Sequence, residues 1–340
     1  MTTSALKEVF RGLKTVGLTK GQVTALLPDW WEPDVATTKA GLFETALLLG
    51  RRLSLDASAL LEGKIEKAPG LSAPRFKHTV RVTAQQLEPA TLLAFSLARA
   101  VIGSMPVQHV AITRSAAAVR KGILGNGTRR VDFDSILSFC WASGIPVIPI
   151  PNLPRGVRKM DAAAIKVGER PVIVIALRSN SKAWLSFLLA HELGHICLNH
   201  VAENTALVEG SLNDSADFDA DTQQDRQEVE ANDFAHAILG GARADEVIAR
   251  WPSALPPVSL ATLAMDDANT LQAAAGHLVL RYGFLTKRWP EARGALNFLA
   301  EDMDAQSALV DRMRAEIDTA SLGDDMQQFV EQITGISPKY

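Results

Sequence analysis

Ser181–Asn199 reads SKAWLSFLLAHELGHICLN, and this stretch decides how the rest of the chain is read. Serines able to cap a helix stand at Ser179 and Ser181, and Trp184, Leu185, Leu188 and Leu189 give the segment one buried side, so a helix is predicted. Inside it lies His191-Glu192-Leu193-Gly194-His195. At about 3.6 residues per turn, positions four apart stack on one face, so two imidazoles converge on a single ion at bond lengths of ~2.0–2.1 Å. Glu192, beside the first ligand, can then reach a water on that ion and take its proton. Gly194 removes side-chain bulk next to the ligands. The expected ion is Zn2+, which needs a third protein ligand and a fourth position left for water and substrate.

The next helical stretch, about Gln223–Leu239, reads QQDRQEVEANDFAHAIL and offers Glu228, Glu230, Asp233 and His236. Ala231, Phe234, Ala235 and Ile238 set its apolar face. Glu230 stands four before Phe234 and eight before Ile238, which predicts a carboxylate on the buried face, where it must be paired or bind metal. Glu230 is therefore the expected third ligand; Glu228, roughly 200° away around the axis, is the second choice and is expected to face solvent.

HELGHICLNH followed some thirty residues later by EVEANDFAHAIL resembles the ImmA/IrrE family of metallopeptidases. VIPIP and AAIKVGERPVIVI, a strand and hairpin ahead of the motif helix, fit the same family, and the likeness covers roughly Val131–Leu239. It implies a zinc-dependent, gluzincin-type protease that cleaves a repressor within a regulatory circuit, in mobile-element control, stress or phage-defence settings. Transferred to this chain, it makes His191, His195 and Glu230 metal ligands and Glu192 the catalytic base.

Other polar residues near the motif have plainer readings. His200, five residues past His195, lies about 140° off the ligand face, so a structural hydrogen bond at the helix end outweighs an oxyanion or outer-shell role. Cys197 reads as a small buried hydrophobe, and His236 as off the site. Tyr282 and Tyr340 are the two phenols, and neither carries a motif.

Upstream, Ser4–Gly63 carries several short helical patterns: Leu6, Val9, Phe10 and Leu13; a second helix capped by Thr19; a third over Thr38–Leu53. GLTKGQVTALL and LFETALLLGRRLSLDASALL resemble parts of a phage-repressor helix-turn-helix domain. Where its recognition helix would follow, the chain has Asp29-Trp30-Trp31-Glu32-Pro33-Asp34, three acids and two indoles that suit base edges and phosphates poorly. DNA binding by this domain is thus uncertain and expected to be lost.

Ala68-Pro69-Gly70 and Ala73-Pro74 mark a linker, followed by a helix over Thr83–Ser104, a glycine turn at Gly122–Gly127 and a helix over Asp132–Ser143. Strands are expected at Ile145–Ile150, Ala162–Val167 and Pro171–Leu177. Between Glu203 and Asp233 stand ten acidic residues against Arg226 alone, and Ser211–Asp225 reads as a loop, solvated or guiding a basic substrate. Beyond Trp251-Pro252, helices are expected over Leu260–Ala275, Pro290–Asp302, Ala305–Ile317 and Asp325–Ile333.

The 340 residues are 47% hydrophobic with a net charge of −3, which excludes wholesale disorder and an obligate nucleic-acid coat. Two cysteines build no disulfide framework, and no run of eighteen apolar residues occurs, so a cytoplasmic protein off the membrane is expected. The expected fold is α+β, mostly helical, with a small β-sheet packed on the motif helix. Its parts are an N-terminal helical domain (1–68), a zinc peptidase core (75–245) and a helical C-terminal region (246–340). The expected activity is limited proteolysis of a protein substrate such as a repressor. The alternative is a DNA-binding regulator whose zinc site is sensory or structural.

Overall fold

The computed structural model describes residues 2–76, 83–209, 223–300 and 303–336. It is an α+β fold, mostly helical, built around one mixed sheet. Most of the acidic loop expected over Ser211–Asp225 lies outside the described residues, as does Tyr340.

Local caps set the first helices. Helix α1 (Thr2–Thr15) stops before Gly17, which takes a φ of +86°. Thr19 and Gln22 close a reciprocal capping box at the start of α2 (Lys20–Ala25). Thr38 caps α3 (Lys39–Leu53), and the Asp56 carboxylate accepts from Ala59 N–H to start α4 (Ala57–Leu61). Their apolar faces meet through Leu13, Val23, Leu26, Leu49, Leu53 and Leu60, all fully buried.

Asp29–Asp34 forms no helix. The Trp31 indole is buried and donates to Thr45 Oγ1 at 2.8 Å, while the Trp30 indole donates to Asp325 Oδ1 at 2.9 Å. The buried Arg52 guanidinium ties the same region down by donating to the carbonyls of Leu26 and Asp325. Burial lowers its pKa to about 10 against the opposing pull of Asp325 and Asp29. Where the sequence resemblance would put a recognition helix, the chain thus has an irregular segment pinned to another part of the protein.

The sheet collects β1 (Arg75–Phe76), β2 (Val147–Pro149), β3 (Ala162–Val167), β4 (Arg170–Ile175) and β5 (Ala206–Glu209) in the order β1-β5-β3-β4-β2. Strand β3 runs antiparallel to both neighbours, and the outer strands pair in parallel with β5 and β4. Gly168, at a φ of +55°, turns β3 into β4, the tight turn the sequence predicts. Consecutive residues Ala162–Ile165 and Pro171–Ile175 are all buried. Because neighbours in a strand face opposite sides, both faces must be covered. Helices α5 (Ala84–Gly103) and α8 (Lys182–Cys197) both pack on these strands.

Between α5 and β2 come α6 (Ala116–Gly125) and α7 (Phe133–Ala142). The turn expected at Gly122–Gly127 is corrected: α6 runs on to Gly125, started by a Ser115 cap and held by Val119 and Ile123, four apart and buried. Gly122 is a contact rather than a break, since a Cβ there would stand 3.7 Å from the Phe139 ring. Helix α9 (Gln223–Gly240) follows β5 and packs along α8.

Helices α10 (Ala244–Ile248), α11 (Pro257–Leu271), α12 (Ala275–Thr286) and α13 (Trp289–Leu296) enclose a second core around Leu260, Ala264, Leu278, Tyr282 and Ala292. Instead of running to Ala275, α11 ends where Gln272 turns left-handed at φ +48°, and α12 was not foreseen. Trp184 of α8 stacks on Trp289 at 5.9 Å and joins this core to the motif helix. Helices α14 (Ala305–Glu316) and α15 (Asp324–Thr334) return to the main core, α14 against β2 and α7, α15 against α3 and α5. Among the described residues no helix is long and apolar enough to cross a membrane.

Candidate metal centre

Helix α8 starts where the Ser181 hydroxyl accepts from Trp184 N–H at 3.3 Å, and it packs closely along α9. Gly194 sets how close: a Cβ there would stand 3.2 Å from both Cα and O of Ala231, tighter than ordinary contact. With that approach, His191, His195 and Glu228 are all 1% exposed and bring one ligand atom each within 4.8 Å of one another. His191 Nε2 and His195 Nε2 are 3.0 Å apart. Glu228 places Oε2 3.3 Å from the first and Oε1 3.5 Å from the second.

The carboxylate in this cluster is Glu228, not the expected Glu230, whose side chain is 60% exposed. The physical reason lies in where the face of α9 is centred. At about 100° per residue, Ala231, Ala235, Ile238 and Leu239, all fully buried, span an arc that includes Glu228 and leaves Glu230 roughly 80° outside it. The expected face included Ala231 and Ala235, but Glu230 was placed on it by its spacing to Phe234 and Ile238. Measured against the two alanines, Glu228 is the nearer carboxylate.

Outside the cluster, each imidazole has a partner for its other nitrogen. His191 Nδ1 lies 2.9 Å from Asn232 Oδ1, and His195 Nδ1 lies 3.0 Å from His200 Nδ1. Asn232, which the sequence reading passed over, is one helical turn beyond Glu228 and so reaches the same site. An amide oxygen only accepts, so His191 carries its proton on Nδ1 and turns the Nε2 lone pair toward His195 and Glu228.

Two tests of the donor set favour a divalent ion. A tetrahedron with bonds of ~2.0–2.1 Å has edges of about 3.3–3.4 Å; the two Nε2 atoms are 3.0 Å apart, and each has a Glu228 oxygen, a different one for each ring, at 3.3 or 3.5 Å, separations near that size. Imidazole lone pairs and a carboxylate at such distances repel one another unless a proton or cation lies among them. Two histidines and one carboxylate are also a donor set suited to zinc. Among the described residues no fourth His, Cys, Asp or Glu joins the cluster.

Burial lowers the His195 pKa to about 4, against the adjoining Glu228 carboxylate, which favours its charged form. Burial raises the Glu228 carboxyl, but the adjoining imidazoles of His191 and His195 outweigh it and hold the group below the usual carboxylate range. At neutral pH the direction is clear for both: the carboxylate is charged and His195 neutral, the protonation states in which each ligates metal.

Two further histidines are also held neutral by burial. His236 is lowered to about 3, and His277 well below its usual value. Their folded pKa values lie under the unfolded value near 6.5, so below pH 6.5 the unfolded chain binds protons that the folded chain refuses. Stability is therefore full above about pH 6.5 and falls with acid. From pH 7 to pH 5 the metal-free protein is expected to lose on the order of 2 kcal/mol for each of His195 and His236, with His277 acting in the same direction. Urea midpoints measured in chelator at the two pH values check this, and an unchanged midpoint would contradict it.

Glu192 follows His191 on α8 and is 1% exposed, outside the three-donor cluster. His236 packs against Phe187 at 5.1 Å and His277 at 5.7 Å, beside the cluster rather than in it. Tyr282 is buried in the second core with its hydroxyl donating to the Pro252 carbonyl at 3.2 Å. Cys140 and Cys197 are free and buried, and burial raises the Cys197 thiol to about 12. From the sheet edge, Arg75 donates to the His200 carbonyl and to Gln227 Oε1, linking the segment after α8 to α9.

Residues 142–239 match the family model Peptidase_M78, described as the IrrE N-terminal-like domain. The match spans less than a third of the chain and takes in α8, α9 and all three donors. Among curated proteins none matches the chain.

Proposed function

We propose, from the family match over residues 142–239 and the donor geometry within it, that this protein is a zinc-dependent endopeptidase acting on a regulatory protein such as a transcriptional repressor. The observation that carries the reading is the buried cluster of His191, His195 and Glu228, whose ligand atoms lie within 4.8 Å of one another. These three residues would hold the ion. When bound, it supplies Lewis acidity, lowering the pKa of a water to ~7 and polarising a carbonyl.

The chain's own residues supply the rest. His191 is fixed with its lone pair toward the site by Asn232. Glu192, buried on the same helix, serves as the general base: it takes a proton from the attacking water and passes it to the departing amine nitrogen. A large part of the chain lies outside the matched segment, which favours cutting of a selected partner over general digestion.

Metal analysis of the purified protein is expected to give one zinc per chain. Mass spectrometry of regulators encoded beside it, incubated with the protein, is expected to show one discrete pair of fragments that disappears with a chelator. Intact regulators in the presence of the zinc-loaded protein would count against the proposal.

A further inference from the structure

The sequence places His200 five residues past His195, where a continued helix would turn it away. Instead α8 ends in a Schellman turn. Asn199 takes a left-handed φ of +62°, its N–H donates to the Ile196 carbonyl at 3.1 Å, and the His200 N–H donates to the His195 carbonyl at 2.9 Å. This reversal brings the His200 ring back beneath His195, with the ring centroids 5.2 Å apart. His200 is 7% exposed, and it spans two partners: His195 Nδ1 at 3.0 Å through its own Nδ1, and Glu230 Oε2 at 3.0 Å through Nε2.

Only one arrangement of protons satisfies both contacts with neutral rings. If His200 carried its proton on Nδ1, its Nε2 lone pair would face a carboxylate at 3.0 Å, acceptor against acceptor. With the proton on Nε2, His200 donates to Glu230 and accepts from His195 Nδ1–H. His195 is then the tautomer whose Nε2 lone pair points at His191 and Glu228.

We propose that His200 and Glu230 are a positioning pair that fixes the tautomer and orientation of His195 for metal. The inference rests on the metal reading above and gives Glu230 a role one step removed from ligation. Glu230 sets the polarity of the pair and His200 transmits it. Asn232 does the same for His191 in a single step, so the two imidazoles are oriented independently, one from within α9 and one from the turn after α8.

The test uses the full chain. Nitrogen-15 spectra of the metal-free protein report which ring nitrogen of each histidine is protonated, and competition with a chromophoric chelator gives zinc affinity. In the unaltered protein His195 is expected to hold a proton on Nδ1, the metal-free cluster of His191 Nε2, His195 Nε2 and Glu228 sharing a separate proton in place of the cation. His200→Leu is expected to mix or reverse that tautomer and weaken zinc ~10- to 100-fold, the usual cost of losing an outer partner of a ligating histidine. Glu230→Ala, at an exposed carboxylate that folding does not need, is expected to shift the tautomer in the same direction with a smaller loss. Glu230→Gln keeps an acceptor oxygen and should restore both readouts toward the original.

A merely structural His200 would lower the melting temperature and leave tautomer and affinity unchanged, and that result would overturn the proposal. If His200→Leu does not fold, Glu230→Ala decides: an unaltered tautomer and affinity there overturn it equally. Failure of the metal reading looks different, since the unaltered protein would then bind no zinc and the tautomer of His195 would still respond to His200→Leu.

Discussion

Glu228→Gln is expected to cost this protein on the order of 10²- to 10³-fold in zinc affinity, while Glu230→Ala costs tenfold or less. Binding free energies of ~10–16 kcal/mol for structural zinc imply about 3–4 kcal/mol for each ligand, and 1.4 kcal/mol is a factor of ten. Glu228 is 1% exposed with its two oxygens 3.3 and 3.5 Å from the two imidazole nitrogens. The amide of glutamine fills the same volume but supplies one neutral oxygen and an NH₂ group that would point at a lone pair. Glu230 by contrast keeps a 60% exposed side chain and meets His200 rather than the cluster. Fold integrity is expected in both variants: Glu228→Gln replaces a charge in a buried acceptor cluster by a neutral amide, which relieves repulsion in the metal-free state, and Glu230→Ala truncates a largely exposed side chain. Competition titrations with a chelator check the pair of variants. The reverse order, zinc lost with Glu230→Ala and kept with Glu228→Gln, would mean that α9 presents a different face to α8 when the ion binds.

That prediction turns on the point where sequence reading and structure part. The pairing of His191 with His195 was legible because it depends on one helix and its 3.6-residue period. Thr19, Thr38, Asp132 and Ser181 were legible as helix starts for the same reason: a cap is satisfied within three residues of itself. The hairpin at Gly168 followed from local turn chemistry. What failed depends on packing between elements. The rotation of α9 is set by where α8 and Gly194 let it approach, and a carboxylate placed by its spacing to Phe234 and Ile238 ignored that the closest contact is made at Ala231. Strands β1 and β5 are two and four residues long, too short for a periodic signal, and exist because β3 offers an edge to β5 and β5 in turn offers one to β1. His200 was misplaced because helical angles were extended past Asn199, where the helix had already ended. The acidic Asp29–Asp34 segment departs from a recognition helix in sequence, and its contacts with α15 come from residues nearly three hundred positions away, beyond any local pattern.

Glu192→Gln is expected to keep the zinc of the unaltered protein and to slow cleavage of its regulator by ~10²- to 10⁴-fold, the range over which a positioned acid–base group accelerates a reaction. Glu192 and Gln are nearly isosteric, so the burial of the side chain on α8 survives the change. Since the residue stands outside the three-donor cluster, zinc affinity is expected to stay near its original value. What the amide cannot do is accept a proton from water and return it to the leaving nitrogen. The decisive comparison runs three variants through one assay: Glu228→Gln loses metal and activity together, Glu192→Gln loses activity with metal retained, and His200→Leu loses metal in part. In the last case activity should recover at raised zinc, because the base is intact and only occupancy has fallen. Full-rate cleavage by zinc-loaded Glu192→Gln would mean that the proton goes elsewhere. The base would then have to be sought among groups that touch the substrate, and His236, held neutral beside Phe187 and near the ligand helix, would be the first to substitute.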